Sequence, residues 1–241
     1  MLSFDFIVMT LFSSIFGILL LLLFACLWWC ISGHSQTLFV LAAKEGNISD
    51  LGYFLFFAPL YGISTYHIQE AFASSCQNSH IECTRLILSK KYAKHIINSS
   101  VATLQLIKAV SLHKVELVHL LLERGVNVNS CDIYGSTPAY AAIQHNHIEC
   151  LRILLAYNAN INITEQSVPL LLYAVDMFKT ECVQLLLQYN ADYTLTDVKG
   201  KSALSAINEE SWIRGQVTTA KTEIRKMILK AAEDTNYYRL K

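Results

Sequence analysis

A period of about 33 residues runs through most of this chain. Aligned on their helical pattern, Ala42, Ser75, Ala109, Ala142 and Ala174 share one slot, and Ile207 fills it in a sixth unit. The successive spacings are 33, 34, 33, 32 and 33. The flanks match too. Tyr134–Ala142 leads into His147–Leu155, Pro169–Ala174 into Thr180–Leu187, and Leu106–Ala109 into Val115–Leu122. His80–Cys83 and Leu86–Leu88 repeat the second half again. Such a period demands a stack of small units, because none of them can bury its apolar face alone.

Each unit reads as two helices. A short first helix packs a small residue such as Ala142 against its neighbours, and a turn follows at His145-Asn146-His147. The second helix carries Ile148, Leu151, Ile153, Leu154 and Leu155 at near-helical spacing. It ends on a residue suited to positive φ: Gly125, Asn158 or Asn190. Extended connectors follow over 126–129, 159–162 and 191–194. Asp132 with Gly135, and Asp197 with Gly200, predict a tight turn before the next helix. Thr137 is placed to cap that helix and Pro138 to open it.

These residues resemble the ankyrin repeat. Gly135-Ser-Thr-Pro-Ala-Tyr-Ala-Ala142 matches the family's Thr-Pro start and Ala pair. Asn146-His147 and Gly46-Asn47 stand for its Gly-His inter-helix pair. The resemblance covers roughly 36 to 207 and is specific from Ala102 to Ile207. Before Ser100 it weakens, since residues 88–98 replace the usual connector, and most units lack the Thr-Pro pair, with Val168-Pro169 and Ser202-Ala203 as the nearest substitutes. The resemblance implies that His80 and His147 hydrogen-bond backbone at the inter-helix turn.

Ahead of the repeats lies a different chemistry. Residues 6–31 read FIVMTLFSSIFGILLLLLFACLWWCI, with no ionisable group except the Cys26 and Cys30 thiols. A helix of about 20 apolar residues crosses a bilayer core, so this run is long enough. Trp28 and Trp29 close it with rings that favour the headgroup region. A cleaved signal peptide, a lipoprotein signal ending at Cys26 and a buried core helix are the alternatives. The first has neither the basic start nor the short apolar core it needs. No Lys or Arg precedes the run and Lys44 is the first after it, which weakly directs the repeat domain to the cytoplasm.

Two end segments remain. Leu51–Ile63 is rich in aromatic residues and too short to span. It reads either as core of the first units or as a surface touching the bilayer or a partner. At the other end, Trp212, Ile213, Val217, Ile224, Met227, Ile228 and Leu229 lie among charged residues. Thr222–Ala232 therefore reads as an amphipathic helix covering the last unit, with Asp234–Lys241 a mobile polar tail. The expected fold is all-α: an ankyrin-repeat solenoid of about six helix-pair units with a C-terminal capping helix, preceded by one transmembrane helix. Its domains are 1–34, the transmembrane anchor; 36–210, the ankyrin repeats; and 211–241, the capping helix and tail.

Composition narrows the function. Lys plus Arg equals Asp plus Glu at 19 each, so no basic field exists to attract nucleic acid, and no nucleic-acid partner is expected. The seven cysteines lack the close pairing of a disulfide scaffold and read as reduced, buried thiols. With 9 glycines there is no Gly-rich phosphate loop, and no Gly-x-Ser-x-Gly elbow occurs. Cys76, His80 and Cys83 have half the makings of a zinc site, but Cys83 recurs as Cys150 and Cys182 without partners, which marks core packing. Glu82, Glu116, Glu149 and Glu181 recur in the same way and read as structural. No catalytic, metal or cofactor residue is assigned, and the chain is expected not to be an enzyme.

The expected function is binding. Resemblance to ankyrin domains implies that turn tips and first helices form the contact surface. It points to Tyr134, Ser136, Gln144, His145, Tyr173, Met177, Phe178 and Lys199, with Tyr134, Tyr173 and Phe178 the aromatic anchors. Tyr173 and Phe178 have a second reading, as filling within the stack. The chain is thus expected to be a membrane-tethered, single-pass scaffold with an unidentified protein partner and the lipid bilayer as its second contact. A more specific version resembles ankyrin effectors that intracellular bacteria deliver into host cells. The alternatives are a regulatory ankyrin subunit of an enzyme or channel complex, and a structural membrane protein that self-associates through Ser13, Ser14 and Gly17.

Overall fold

The computed structural model describes residues 34–58, 61–89, 93–162, 168–208 and 219–239. The apolar run at 6–31, and with it the expected anchor, lies outside the described residues. Among the described residues no helix is long and apolar enough to cross a membrane. The chain divides into two compact units, one ending at Tyr92 and one starting at Ala93. That division falls inside the stretch 36–210.

The first unit holds a helix over residues 34–45 (α1), then α2 Ile48–Phe56, α3 Thr65–Gln77 and α4 Ile81–Leu88. Phe39 of α1 meets Phe54 of α2 edge to face, with centroids 6.5 Å apart. α4 packs on both α3 and α2. Leu51, Ile68, Phe72 and Ile87 are fully enclosed, and burying each such side chain favours folding by about 1.5–3 kcal/mol.

The second unit begins with one extra turn of helix, α5 Ala93–Ile97, where the sequence departs from the ankyrin connector. Pairs then follow: α6 Ser100–Ser111 with α7 Val115–Glu123, α8 Pro138–Gln144 with α9 Ile148–Ala156, and α10 Leu170–Asp176 with α11 Thr180–Gln188. α12 Ala203–Ala206 and the long α13 Thr219–Arg239 complete the order. First helices pack in the sequence α6, α8, α10, α12, and second helices in the sequence α7, α9, α11. The leucine-rich second halves therefore lie side by side in chain order. Among the described residues no β-strand forms; an isolated antiparallel bridge joins Thr196 and Ser202.

α13 seats Ile224 and Ile228 inward and packs against α11 and α12, as expected of a cap. It runs further than the sequence reading placed it. The helix continues through Asp234 to Arg239, over most of the stretch read as a polar tail. No Gly or Pro interrupts residues 219–239, so nothing in the chain stops the helix.

One device recurs at every described inter-helix turn. The N–H groups of Asn47, His80, Lys114, His147 and Lys179 donate to the carbonyls of Ala42, Ser75, Ala109, Ala142 and Ala174, at 2.8–2.9 Å. The residue before each donor is left-handed: Gly46, Ser79, His113, Asn146 and Phe178, with φ between 54° and 79°. This is a Schellman ending, which satisfies carbonyls that a helix end otherwise leaves open. The second helices end in the same way at Gly125, Asn158 and Asn190, where Val126, Ala159 and Ala191 donate back to Leu121, Leu154 and Leu186. The repeating small-residue slot is buried throughout. Where it holds a serine, the hydroxyl is satisfied: Ser75 Oγ donates to the Phe72 carbonyl and lies 2.9 Å from Thr84 Oγ1.

Candidate partner-binding surface

Among the described residues two fingers project from the second unit, between α7 and α8 and between α11 and α12. In the first, Asp132 Oδ1 accepts the N–H groups of Tyr134 and Ser136, both at 2.9 Å. Gly135 N–H donates to the Asp132 carbonyl, and Asp132 N–H to the Ser136 carbonyl. In the second, Asp197 Oδ1 accepts from Lys199 and Lys201 at 2.8 and 2.9 Å, with the same two backbone bonds around Gly200. The carboxylate is thus spent on holding the turn, and the two central side chains must face outward. They are Ile133 and Tyr134 in one finger, 91% and 78% exposed, and Val198 with Lys199 in the other, Val198 being 78% exposed. Each finger runs straight into a capped helix. Thr137 Oγ1 accepts from Tyr140 N–H, with Pro138 in the first turn, and Ser202 Oγ accepts from Ser205 N–H. Pro169 differs: it sits at the cap position itself, one residue earlier than Pro138 relative to its helix.

The connectors behind the fingers are joined by amide side chains. Asn127 Oδ1 accepts from Asn129 N–H, and Asn129 Oδ1 from Asn160 N–H of the next connector at 2.7 Å. Asn160 Oδ1 then accepts from Asn162, Asn162 Oδ1 from Asp192 N–H, and Asp192 Oδ1 from Thr194. The relay fixes the spacing between connectors, and so the platform the fingers stand on.

The residues expected from the sequence fall into two rows. Tyr134, Ser136 and Lys199 belong to the fingers. Ser136 is half-buried, its backbone used by the turn. Gln144 and His145 lie at the far end of α8, and Met177 and Phe178 at the far end of α10. A seven-residue helix is about 10 Å long, so α8 separates Gln144 and His145 from its finger by about that distance. Tyr173 lies between the rows. It is half-buried with its ring 5.0 Å from that of Tyr140, and burial raises its phenol above the ordinary value. Phe178 is 42% exposed, holds a left-handed backbone, and has Lys221 Nζ 5.3 Å from its ring centre. Ile133, Val198, Leu104 and Leu112 are exposed apolar residues missing from the expected set. The first two were findable, since both lie between the Asp and Gly of a finger.

The turn row carries histidine. His80 Nε2 is 3.0 Å from the Lys44 carbonyl and His147 Nε2 is 3.2 Å from the Ser111 carbonyl. A carbonyl only accepts, so the proton is on Nε2 in both, and each ring ties its turn to the preceding one. The His113 and His147 rings lie 4.6 Å apart. Cys150 Sγ is 3.7 Å from His113 Nδ1, and Cys182 Sγ is 3.7 Å from Asn146 Oδ1. Burial pushes both thiols up to about 11. Cys83 is shifted upward by the same cause. Cys131, by contrast, is exposed, which corrects the expectation of uniformly buried thiols. Among the described residues no group of three or more His, Cys, Asp and Glu is placed to hold a metal. Glu82, Glu116, Glu149 and Glu181 each lie in the first turn of a second helix, where the helix dipole favours a carboxylate.

A row of stacked helix pairs with outward apolar fingertips is the architecture of a repeat protein. Residues 106–197 match the family model for ankyrin repeats, in three copies. An ankyrin repeat protein of Fowlpox virus (strain NVSL) is 34% identical over 82 residues, 33% of this chain and 12% of that protein. The chain thus spans a small part of that relative's length. This stretch of the chain carries ankyrin repeats, which are protein–protein interaction modules.

Proposed function

We propose that the chain is a membrane-tethered protein-binding module, with the 6–31 run as its anchor, its ankyrin repeats on the cytoplasmic side and no catalytic activity of its own. The observation that carries the binding part is the pair of fingers. Ile133, Tyr134 and Val198 hold their apolar side chains in water on a hydrogen-bonded scaffold. The turn backbone is already held, so a partner that covers these exposed apolar side chains has little backbone left to order. The length of the 6–31 run and its closing tryptophans support the anchor. An effector role in a host cell is the more specific form of this reading. Its support is the resemblance of these divergent, Leu- and Asn-rich repeats behind an apolar run to ankyrin effectors of intracellular bacteria.

The test is proximity labelling in cells with the full chain and with an Ile133→Ser/Tyr134→Ala variant, with circular dichroism of both. A partner labelled by the first and lost by the second, at unchanged helicity, supports the binding surface. An identical labelling pattern would sink it. Protease protection of isolated membranes reads the anchor and its orientation separately.

A further inference from the structure

The apolar run ends at Ile31, and the first described helix starts three residues later. α1 and α2 form a hairpin, as the Phe39–Phe54 contact and the bond from Gln36 Nε2 to the Gly62 carbonyl at 3.1 Å together require. The chain just after α2 therefore returns to the point where α1 begins. At that point the surface is aromatic. Tyr53, Phe57 and Tyr61 touch one another, with Tyr53 and Phe57 ring centres 4.8 Å apart and the Tyr53 and Tyr61 hydroxyls 2.9 Å apart. Phe56 meets Phe57 edge to face at 4.9 Å and is 74% exposed, and Tyr53 is 52% exposed. From Leu51 to Gln69 there is no Asp, Glu, Lys or Arg. The charged residues of the hairpin, Lys44, Glu45 and Asp50, are exposed at its other end.

We propose that this aromatic end of the α1–α2 hairpin is a lipid-contacting collar, seated in the headgroup region of the membrane that holds the 6–31 run. The inference rests on the membrane-anchor reading and adds where and how the folded part meets the bilayer. The occupant follows from continuity. With at most a few residues between Ile31 and α1, an anchored run brings Tyr53 and Phe56 to the bilayer surface. Tyrosine favours this depth, and phenylalanine without neighbouring charge buries its ring at the headgroup–acyl boundary just below it. The collar holds the first helix pair at a set angle to the membrane instead of leaving it on a free tether.

The experiment uses the full chain in phosphatidylcholine vesicles, with Trp28, Trp29 and Trp212 each changed to Phe. One reporter is then added, as Phe56→Trp or, for comparison, Tyr134→Trp. Flotation after an alkaline wash reads the anchor. Lipid brominated near the headgroup, and iodide in the buffer, read the position of the indole. The expected result is a blue-shifted indole at position 56, quenched by the brominated lipid and not by iodide, with the reverse at position 134. Flotation with the position-56 indole open to iodide would overturn the collar and leave the anchor standing. Shielding from both quenchers would mean that a second copy of the chain covers the patch, which also overturns it. A chain that does not float removes the anchor and the collar together.

Discussion

In the unit that ends at Tyr92, the link from α2 to α3 is closed by aromatic rings and by one amide bond, Gln36 to Gly62. In the unit that starts at Ala93, the corresponding connectors are closed by asparagines that reach the backbone of the next repeat. At the opposite end of the helix pairs the two units do the same thing. All five described turns use one left-handed residue and one bond back to the small-residue slot. The corner is therefore the shared part of the design, and the connector edge is where the units part. Where the connectors are regular, fingers stand on them; where they are aromatic, the surface is suited to something greasy.

The comparison breaks most readily at Gly46. A Cβ there would lie 2.6 Å from His80 Nδ1, on a backbone with φ of +79°. Gly46→Ala is expected to cost about 3 kcal/mol, from overpacking and left-handed strain together. Gly125 has a similar φ but open space around it, so Gly125→Ala is expected to cost about 1–2 kcal/mol, from strain alone. Urea denaturation of the two variants checks this, and equal losses would show that the His80 contact is not what constrains the corner.

The thiols sharpen the contrast between edges. Cys150 and Cys182 sit behind the corners and Cys131 on a finger. With pKa values pushed up to about 11, the corner thiols carry about 100-fold less thiolate than an ordinary thiol at pH 8. Alkylation followed by peptide mass spectrometry should find Cys131 modified well before either. Comparable rates would refute the enclosed corner. A raised folded pKa also means that these thiols support the fold below pH 9 and that this support fades as the pH climbs from 9 to 11. Alkaline denaturation of Cys150→Ala/Cys182→Ala should accordingly be shallower in that window.

Asn129 accepts from Asn160 and its Nδ2 lies 3.5 Å from the Asn158 carbonyl, so Asn129→Ala removes the join between two connectors. A loss of about 1–2 kcal/mol is expected, with slower-exchanging amides at the corners unaffected in hydrogen exchange. An unchanged urea midpoint would mean the relay is decoration. The smallest expected effect is a gain. Ser79 is exposed and left-handed, and Ser79→Gly should raise stability by about 0.5–1 kcal/mol. Destabilisation would show that the serine side chain matters more than its backbone strain.

The period, the second-helix leucines and the fingers were legible because spacing alone carries them. Asp132 and Asp197 lie 65 residues apart and make the same bonds. The corners were legible only at Gly46 and Asn146, which favour positive φ. His113 gives a weak signal and Ser79 and Phe178 none, because there the bond back to the slot carbonyl holds the left-handed backbone against local preference. For the same reason Phe178, read as an aromatic anchor, stands at a corner with Lys221 over its ring. The length of α13 was missed for lack of a stop signal to read. The expected contact residues came out as two rows because a flat alignment does not show that α8 has two ends.

A corner held by main-chain atoms takes different side chains wherever there is room for them, and Gly46, with His80 against it, is the exception. Glycine, serine, histidine, asparagine and phenylalanine all serve there in this one chain. Such a joint can accumulate substitutions without altering its angle, so a motif scan is blind to it while the architecture persists. Kinship among proteins built this way is then better sought in the spacing of their bends than in the letters found at them.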